Sequence, residues 1–211
     1  MSSNVDEIQT FAPGSSPFHA KGLVYGGARE FWERTVPGGC SAVRSAIAAT
    51  GDAQLAGFLD QPFVASGLYD ILPIIPLSAM AARLRGVPHA QHVRENAAWM
   101  AERDLRGVYR IILAVTSIEM VASRLGGLSM KYFDFGRAET SRVGDRVLES
   151  RRSGIPAQIA PWFIFAADGF VPVALKLAGA KSVRLRYSQP TPDGLLHGIP
   201  GVQIRFEIHW E

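Results

Sequence analysis

The chain contains 211 residues, 47% of them hydrophobic and 19% charged, which excludes a disordered chain and suffices for one domain, or two small ones, with a substantial core. The basic excess, 22 residues against 19, is too slight for the concentrated positive stripe of a nucleic-acid binder. A single cysteine, Cys40, excludes an internal disulfide and suits a reducing compartment.

Residues 1–17 are polar and rich in Ser and Gly, and predict a flexible tail ahead of one domain over 18–211. Asp6 and Glu7 stand where a signal peptide would need an apolar core, and no run approaches the ~18 apolar residues of a membrane span, so the expected location is the cytoplasm. Phe18 to Tyr25 reads as an extended segment, with Gly26-Gly27 a hinge into a short helix from Ala28 to Arg34. After the Pro37-Gly38-Gly39 turn, Ser41 is a plausible N-cap for a helix whose apolar face includes Val43, Ile47 and Ala48. Gln54 to Leu59 suggests one or two helical turns, Ser66 to Leu72 a further segment, and Ala79 to Leu84 a helix ended by Gly86-Val87-Pro88. A long helical pattern from His89 to about Leu125 predicts two helices, or one kinked near Gly107.

Two candidate strands follow, Leu128 to Phe135 and roughly Ala138 to Arg151, although alternation in the second is poor. From Ala157 to Ala178 the residues Trp162, Phe165, Ala166, Val173, Ala174 and Leu177 form one apolar stripe at helical spacing. A proline inside a helix costs ~3 kcal/mol, so Asp168-Gly169 and Pro172 predict a break at about Asp168–Phe170, with Pro172 in the first turn of the second part. Ser182–Tyr187 and Val202–Trp210 alternate apolar and polar residues and predict strands, joined by a loop containing Pro192-Asp193-Gly194. Val183, Leu185, Ile204, Phe206 and Ile208 should be buried, and Arg184, Arg205 and Glu207 should not. The expected architecture is α+β: a helical half over about 18–127 packed on a small four-stranded antiparallel sheet over about 128–211, with one crossing helix.

Phe18-His19-Ala20-Lys21-Gly22, Asp104-Leu105-Arg106-Gly107-Val108-Tyr109-Arg110 and Tyr132-Phe133-Asp134-Phe135-Gly136 together resemble a family of paralogous proteins numerous in myxobacteria. Gly154-Ile155-Pro156, Pro161-Trp162 and Gly169-Phe170 continue the pattern, so the resemblance spans residues 18–211. More distantly, helices followed by strand–strand–helix–strand–strand is similar to the fold shared by haem–nitric oxide binding domains, vinyl-reductase-type ligand-binding domains and the small subunits of vesicle-tethering complexes. That resemblance implies a cavity between the helical half and the sheet. The haem-binding members use a proximal helix histidine and a Tyr-x-Ser-x-Arg signature. Here the corresponding strand reads Tyr187-Ser188-Gln189-Pro190, with the serine one place early and no arginine. Haem is therefore not expected, and no other cofactor is.

His89 and His92 lie at i and i+3, with Glu95 another i+3 along, but without a further ligand they predict a solvated helix start rather than a metal site. Cys40 sits between a Gly-Gly turn and a helix start, which should lower its pKa somewhat; it is a candidate nucleophile, the resemblance to tethering-complex subunits implies an acylation site at a cavity mouth, and the plain alternative is a small buried hydrophobe. Arg184, Arg186 and Arg205 with Glu207 and Glu211 predict a charged strand face, to which Arg142, Arg146, Arg151 and Arg152 could add. No phosphate-cradling glycine loop and no nucleophile motif is present, and no catalytic residue is nominated. The candidate ligand-binding residues are Tyr109, Trp162, Phe165, Phe170 and Cys40. The expected function is a non-catalytic small-molecule-binding or sensor module for a small apolar molecule. The alternative is a structural or assembly subunit acting through homo-oligomer or partner contacts.

Overall fold

The computed structural model describes residues 11–105, 117–129 and 131–211. Its N-terminal half is helical. Strand β1 (His19–Lys21) pairs antiparallel with β2 (Leu68–Asp70) and leads directly into α1 (Gly22–Thr35). Gly26 and Gly27 lie inside α1 rather than at a hinge, because Val24, Tyr25, Ala28, Phe31 and Trp32 form one continuous buried face. Gly22 is required where the chain crosses itself: a Cβ there would lie 2.2 Å from the Val64 carbonyl oxygen. Helices α2 (Gly39–Ala49), α3 (Ala53–Phe58) and α4 (Ile74–Arg85) follow. Asp52 caps α3 by accepting from the Leu55 N–H at 2.8 Å, and Gly86, at φ 69°, ends α4. Within the long helical pattern the structure describes helices α5 (His89–Leu105) and α6 (Ile118–Ser129); the position near Gly107 lies outside the described residues. Gly14 and Ser16, on the tail side of the expected boundary at 17, both donate backbone N–H groups to the buried Asp70 carboxylate, at 3.0 and 3.1 Å.

The α+β class holds, with one five-stranded antiparallel sheet as the second layer. Its order is β3 (Arg137–Gly144), β4 (Val147–Pro156), β7 (Ile199–Trp210) and β5 (Val183–Tyr187), and β6 (Thr191–Leu196) shares with β5 the free edge of β7. The fifth strand is the segment expected as a loop. Proline is tolerated at a sheet edge, so Pro192 can face Val202 there. The strand expected over Leu128–Phe135 is absent: α6 extends to Ser129, and Phe133 makes only an isolated bridge to Ala20. The stretch from Ala138 to Arg151 alternates poorly because it contains a hairpin turn, with Arg146 at φ 53°. Ile204, Phe206 and Ile208 are buried, Val183 and Leu185 half-buried, Arg184 and Arg205 exposed and Glu207 half-buried.

Helix α7 (Ala160–Leu177) lies against this sheet and is continuous through Pro172. The expected break at Asp168–Phe170 does not occur. Burial of Trp162, Phe163, Ile164, Val171 and Leu175, each worth roughly 1.5–3 kcal/mol, outweighs one missing backbone bond. Gly169 serves a different purpose. A Cβ there would lie 2.1 Å from the Arg94 carbonyl oxygen, so the glycine lets α5 and α7 approach backbone to backbone. The neighbouring Arg94–Asp168 ion pair, at 2.5 Å, pins the same crossing. Among the described residues α7 is the one helix whose 18-residue length and mean hydropathy of 1.3 would also suit a membrane span; here it is the central core helix. Its N-terminal half joins the cluster around Trp32, Ile71, Ile159 and Ile204, and its C-terminal half the cluster around Leu105, Leu125, Leu175 and Trp210.

Candidate ligand-binding cavity

Where α5, α6 and α7 face the sheet, the core leaves a cavity of about 120 Å³. Val93, Ala97 and Met100 of α5 form one wall, and Ala122 and Leu125 of α6 another. Phe206 and Ile208 of β7 and Leu185 of β5 close the sheet side. Helix α7 passes Trp162, Phe163, Ala166, Ala167 and Phe170 along the space, and the paired alanines leave room that larger side chains would fill. Tyr132 and Phe133 line one end. Their segment is held against β1 by the Lys21 N–H donating to the Tyr132 carbonyl at 2.8 Å and by the His19–Asp134 pair at 2.6 Å.

Four polar side chains interrupt this apolar lining. Ser150 and Arg152 occupy inward positions of β4, in register with Phe206 and Ile204. Arg152 is only 8% exposed and donates to the Leu125 carbonyl at 3.4 Å, and burial pulls its pKa down to about 10. Across the cavity, Asn96 of α5 is 6% exposed, and its Oδ1 is buried without a hydrogen-bond partner. The Tyr132 hydroxyl donates to Asp104 at 3.2 Å.

Of the nominated residues, Trp162 and Phe170 line the cavity. Phe165 points elsewhere, half-buried beneath the Arg94 guanidinium at 5.0 Å. Cys40 is not among the lining residues; it is buried at the start of α2, where its backbone N–H donates to Glu33 at 3.0 Å. Burial pushes the Cys40 thiol up, against the expected lowering, so it stays protonated. Tyr109 lies outside the described residues. Arg152, expected with Arg142, Arg146 and Arg151 as a possible addition to the charged face, is inside, while its neighbour Arg151 is exposed. The outer face carries cross-strand pairs, Arg186–Glu207 at 4.0 Å and Arg205–Glu149 at 3.8 Å, that account for its charge.

The helix start at His89 and His92 is not solvated. His92 is fully buried, with the Trp32 indole N–H donating to its Nε2 at 3.1 Å and Arg85 against Nδ1 at 3.1 Å. His89 contacts the Ser78 hydroxyl at 2.8 Å, and Glu95 is taken by Arg85 at 2.6 Å. Burial first, then the neighbouring Arg85, lowers the His92 pKa to about 4.

Haem does not fit the described residues that line the cavity. Among the described lining residues there is neither His nor Cys, and the Tyr132 hydroxyl is engaged with Asp104. The space is of the size that takes one small ring, like an engineered cavity of ~150 Å³ that binds benzene; it is far too small for a macrocycle. Tyr187 is 41% exposed at the end of β5, and the Ser188 hydroxyl accepts from the Arg205 N–H at 3.1 Å, so neither faces the cavity.

No family model matches the sequence, and no curated protein matches it. The structure is similar to solved H-NOX domains. A mutant H-NOX of T. tengcongensis superposes with a TM-score of 0.64 at 11% identity, covering 90% of this chain and 97% of that one. An oxygen-binding H-NOX domain related to soluble guanylate cyclases gives 0.62 at 11% identity, over 90% and 95% of the two chains. An H-NOX described for its activation mechanism gives 0.59 at 10% identity, over 94% and 96%. At these identities the likeness establishes an H-NOX-like α+β fold and leaves the occupant of the cavity to the residues that line it.

Proposed function

We propose that this protein is a non-catalytic binding or sensor module that holds a small, largely apolar molecule, not haem, between α5, α7 and the sheet. The observation that carries this reading is the cavity itself, whose walls come from every layer of the fold and include the aromatic rings of Trp162, Phe163, Phe170 and Phe206. Binding there would bridge the helical half and the sheet, which is how an occupant could bias the protein between two states. The H-NOX-like fold supports a sensor role by analogy. Kinship with the myxobacterial paralogues belongs to the same proposal. Native mass spectrometry of protein purified from its own host, compared with denaturing mass spectrometry, tests it. A non-covalent mass lost on denaturation is the expected result. A defined oligomer without any retained mass would favour an assembly subunit instead.

A further inference from the structure

One side-chain amide on the helical wall narrows the chemistry of the occupant. We propose that the cavity takes a neutral, single-ring aromatic molecule carrying one hydroxyl, with its ring among Phe163, Phe170 and Phe206 and its hydroxyl on the amide of Asn96. This inference rests on the reading of the cavity as a ligand site and specifies it.

Helix register puts that amide at the cavity. Val93, Asn96, Ala97 and Met100 lie at i, i+3, i+4 and i+7 of α5, and all four line the space. Asn96 is the one polar residue of the four. It is 6% exposed, and its Oδ1 is buried with no hydrogen-bond partner among the described residues. Buried polar atoms are bonded in nearly all proteins, and an enclosed carbonyl oxygen left unbonded costs more than an apolar side chain of the same shape. Core packing therefore does not account for an asparagine here, whereas a ligand that brings a donor does.

The missing partner is a donor, and this selects the functional group. An ionised carboxylate only accepts hydrogen bonds and has nothing to offer Oδ1. A hydroxyl donates through its hydrogen and accepts through its lone pairs. The last torsion of asparagine is broad and roughly two-fold, so a hydroxyl suits the amide whether its oxygen or its N–H turns to the space. A phenolic hydroxyl titrates at about 10 and keeps its proton at neutral pH. The rest of the lining selects the ring. Phe163 and Phe206 stand tilted with centroids 6.5 Å apart, and with Trp162 and Phe170 they offer both faces and edges for a further ring. The volume, about 120 Å³, admits one six-membered ring with a small substituent and is too small for fused rings.

Isothermal titration calorimetry with phenol and toluene, two rings of nearly equal size, tests the assignment. A wholly apolar cavity prefers toluene, because a hydroxyl gives up its bonds to water and finds none inside. The wild-type protein should instead bind phenol at least as tightly as toluene. Asn96→Leu, close to asparagine in size and shape, should shift the ratio of the two affinities toward toluene by about fivefold or more, the margin of one neutral hydrogen bond. The wild-type ranking needs no variant, so a variant that fails to fold does not block the test. Toluene binding more tightly than phenol in the wild type, or a ratio that Asn96→Leu leaves unchanged, overturns the inference while leaving the ligand-site reading intact. Binding of neither ring also overturns it; the retained mass in native mass spectrometry then decides the broader reading separately.

Discussion

At the scale of single residues, the decisive features are those whose environment reverses what the residue type suggests. His92 is a histidine kept neutral inside the core. Its unfolded-state value is 6.5 and its folded value about 4, so between those limits the unfolded chain binds the proton and the folded one does not. The contribution is intact above pH 6.5 and is lost as pH falls toward 4, a total of roughly 3 kcal/mol. Protonation would also set a second donor against the Trp32 indole N–H or the Arg85 guanidinium. Denaturant unfolding measured from pH 7 to pH 4 should show that decline, and His92→Gln should flatten it. An equally steep decline in the variant would assign the effect to another group. Gly169 is the second such residue. Because a Cβ at that site would lie 2.1 Å from a backbone oxygen of α5, Gly169→Ala should destabilise by about 1–3 kcal/mol despite alanine's higher helix propensity. A gain in the unfolding midpoint would show that the crossing can open at little cost.

At the scale of elements, periodicity was legible where an element buries one face and misleading where packing or a turn overrides it. The alternation in Val183–Tyr187 and Val202–Trp210 identified two real strands, because one face of each is in water. The β3–β4 hairpin looks in sequence like one poorly alternating strand. A register shift between Arg142 and Gly144 precedes its turn, and only with both placed does the alternation of Leu148, Ser150 and Arg152 point inward. That is also why the charged side of the cavity was missed: without a register, Arg151 and Arg152 are indistinguishable basic neighbours. In α7, the local signals Gly169 and Pro172 predict a break, whereas one marks a helix crossing and the other is outweighed by burial. Pro172 should nonetheless cost stability locally. Pro172→Ala restores a backbone donor and should raise unfolding stability by about 1–3 kcal/mol. A loss of stability on substitution would mean that the pyrrolidine ring's packing outweighs the missing hydrogen bond.

At the scale of the whole molecule, the cavity is the place where two well-packed clusters meet and fail to close. Trp32, Ile71 and Ile159 anchor one, Leu105, Leu125 and Leu175 the other, and α7 runs between them with Ala166 and Ala167 at the gap. Interiors are close-packed, so a void of this size is a standing cost to stability. Stability and ligand binding therefore compete for the same volume, and one substitution separates them. Ala166→Leu adds apolar atoms where the ring of a ligand would sit. It should raise stability by about 0.5–2 kcal/mol, the usual gain from filling a cavity. It should also abolish the retained mass in native mass spectrometry. Thermal unfolding and native mass spectrometry on the same preparation read the two effects together. Gained stability with the retained mass unchanged would place the ligand elsewhere. Lost stability would mean that the space cannot take a larger side chain without disturbing α5 or the sheet.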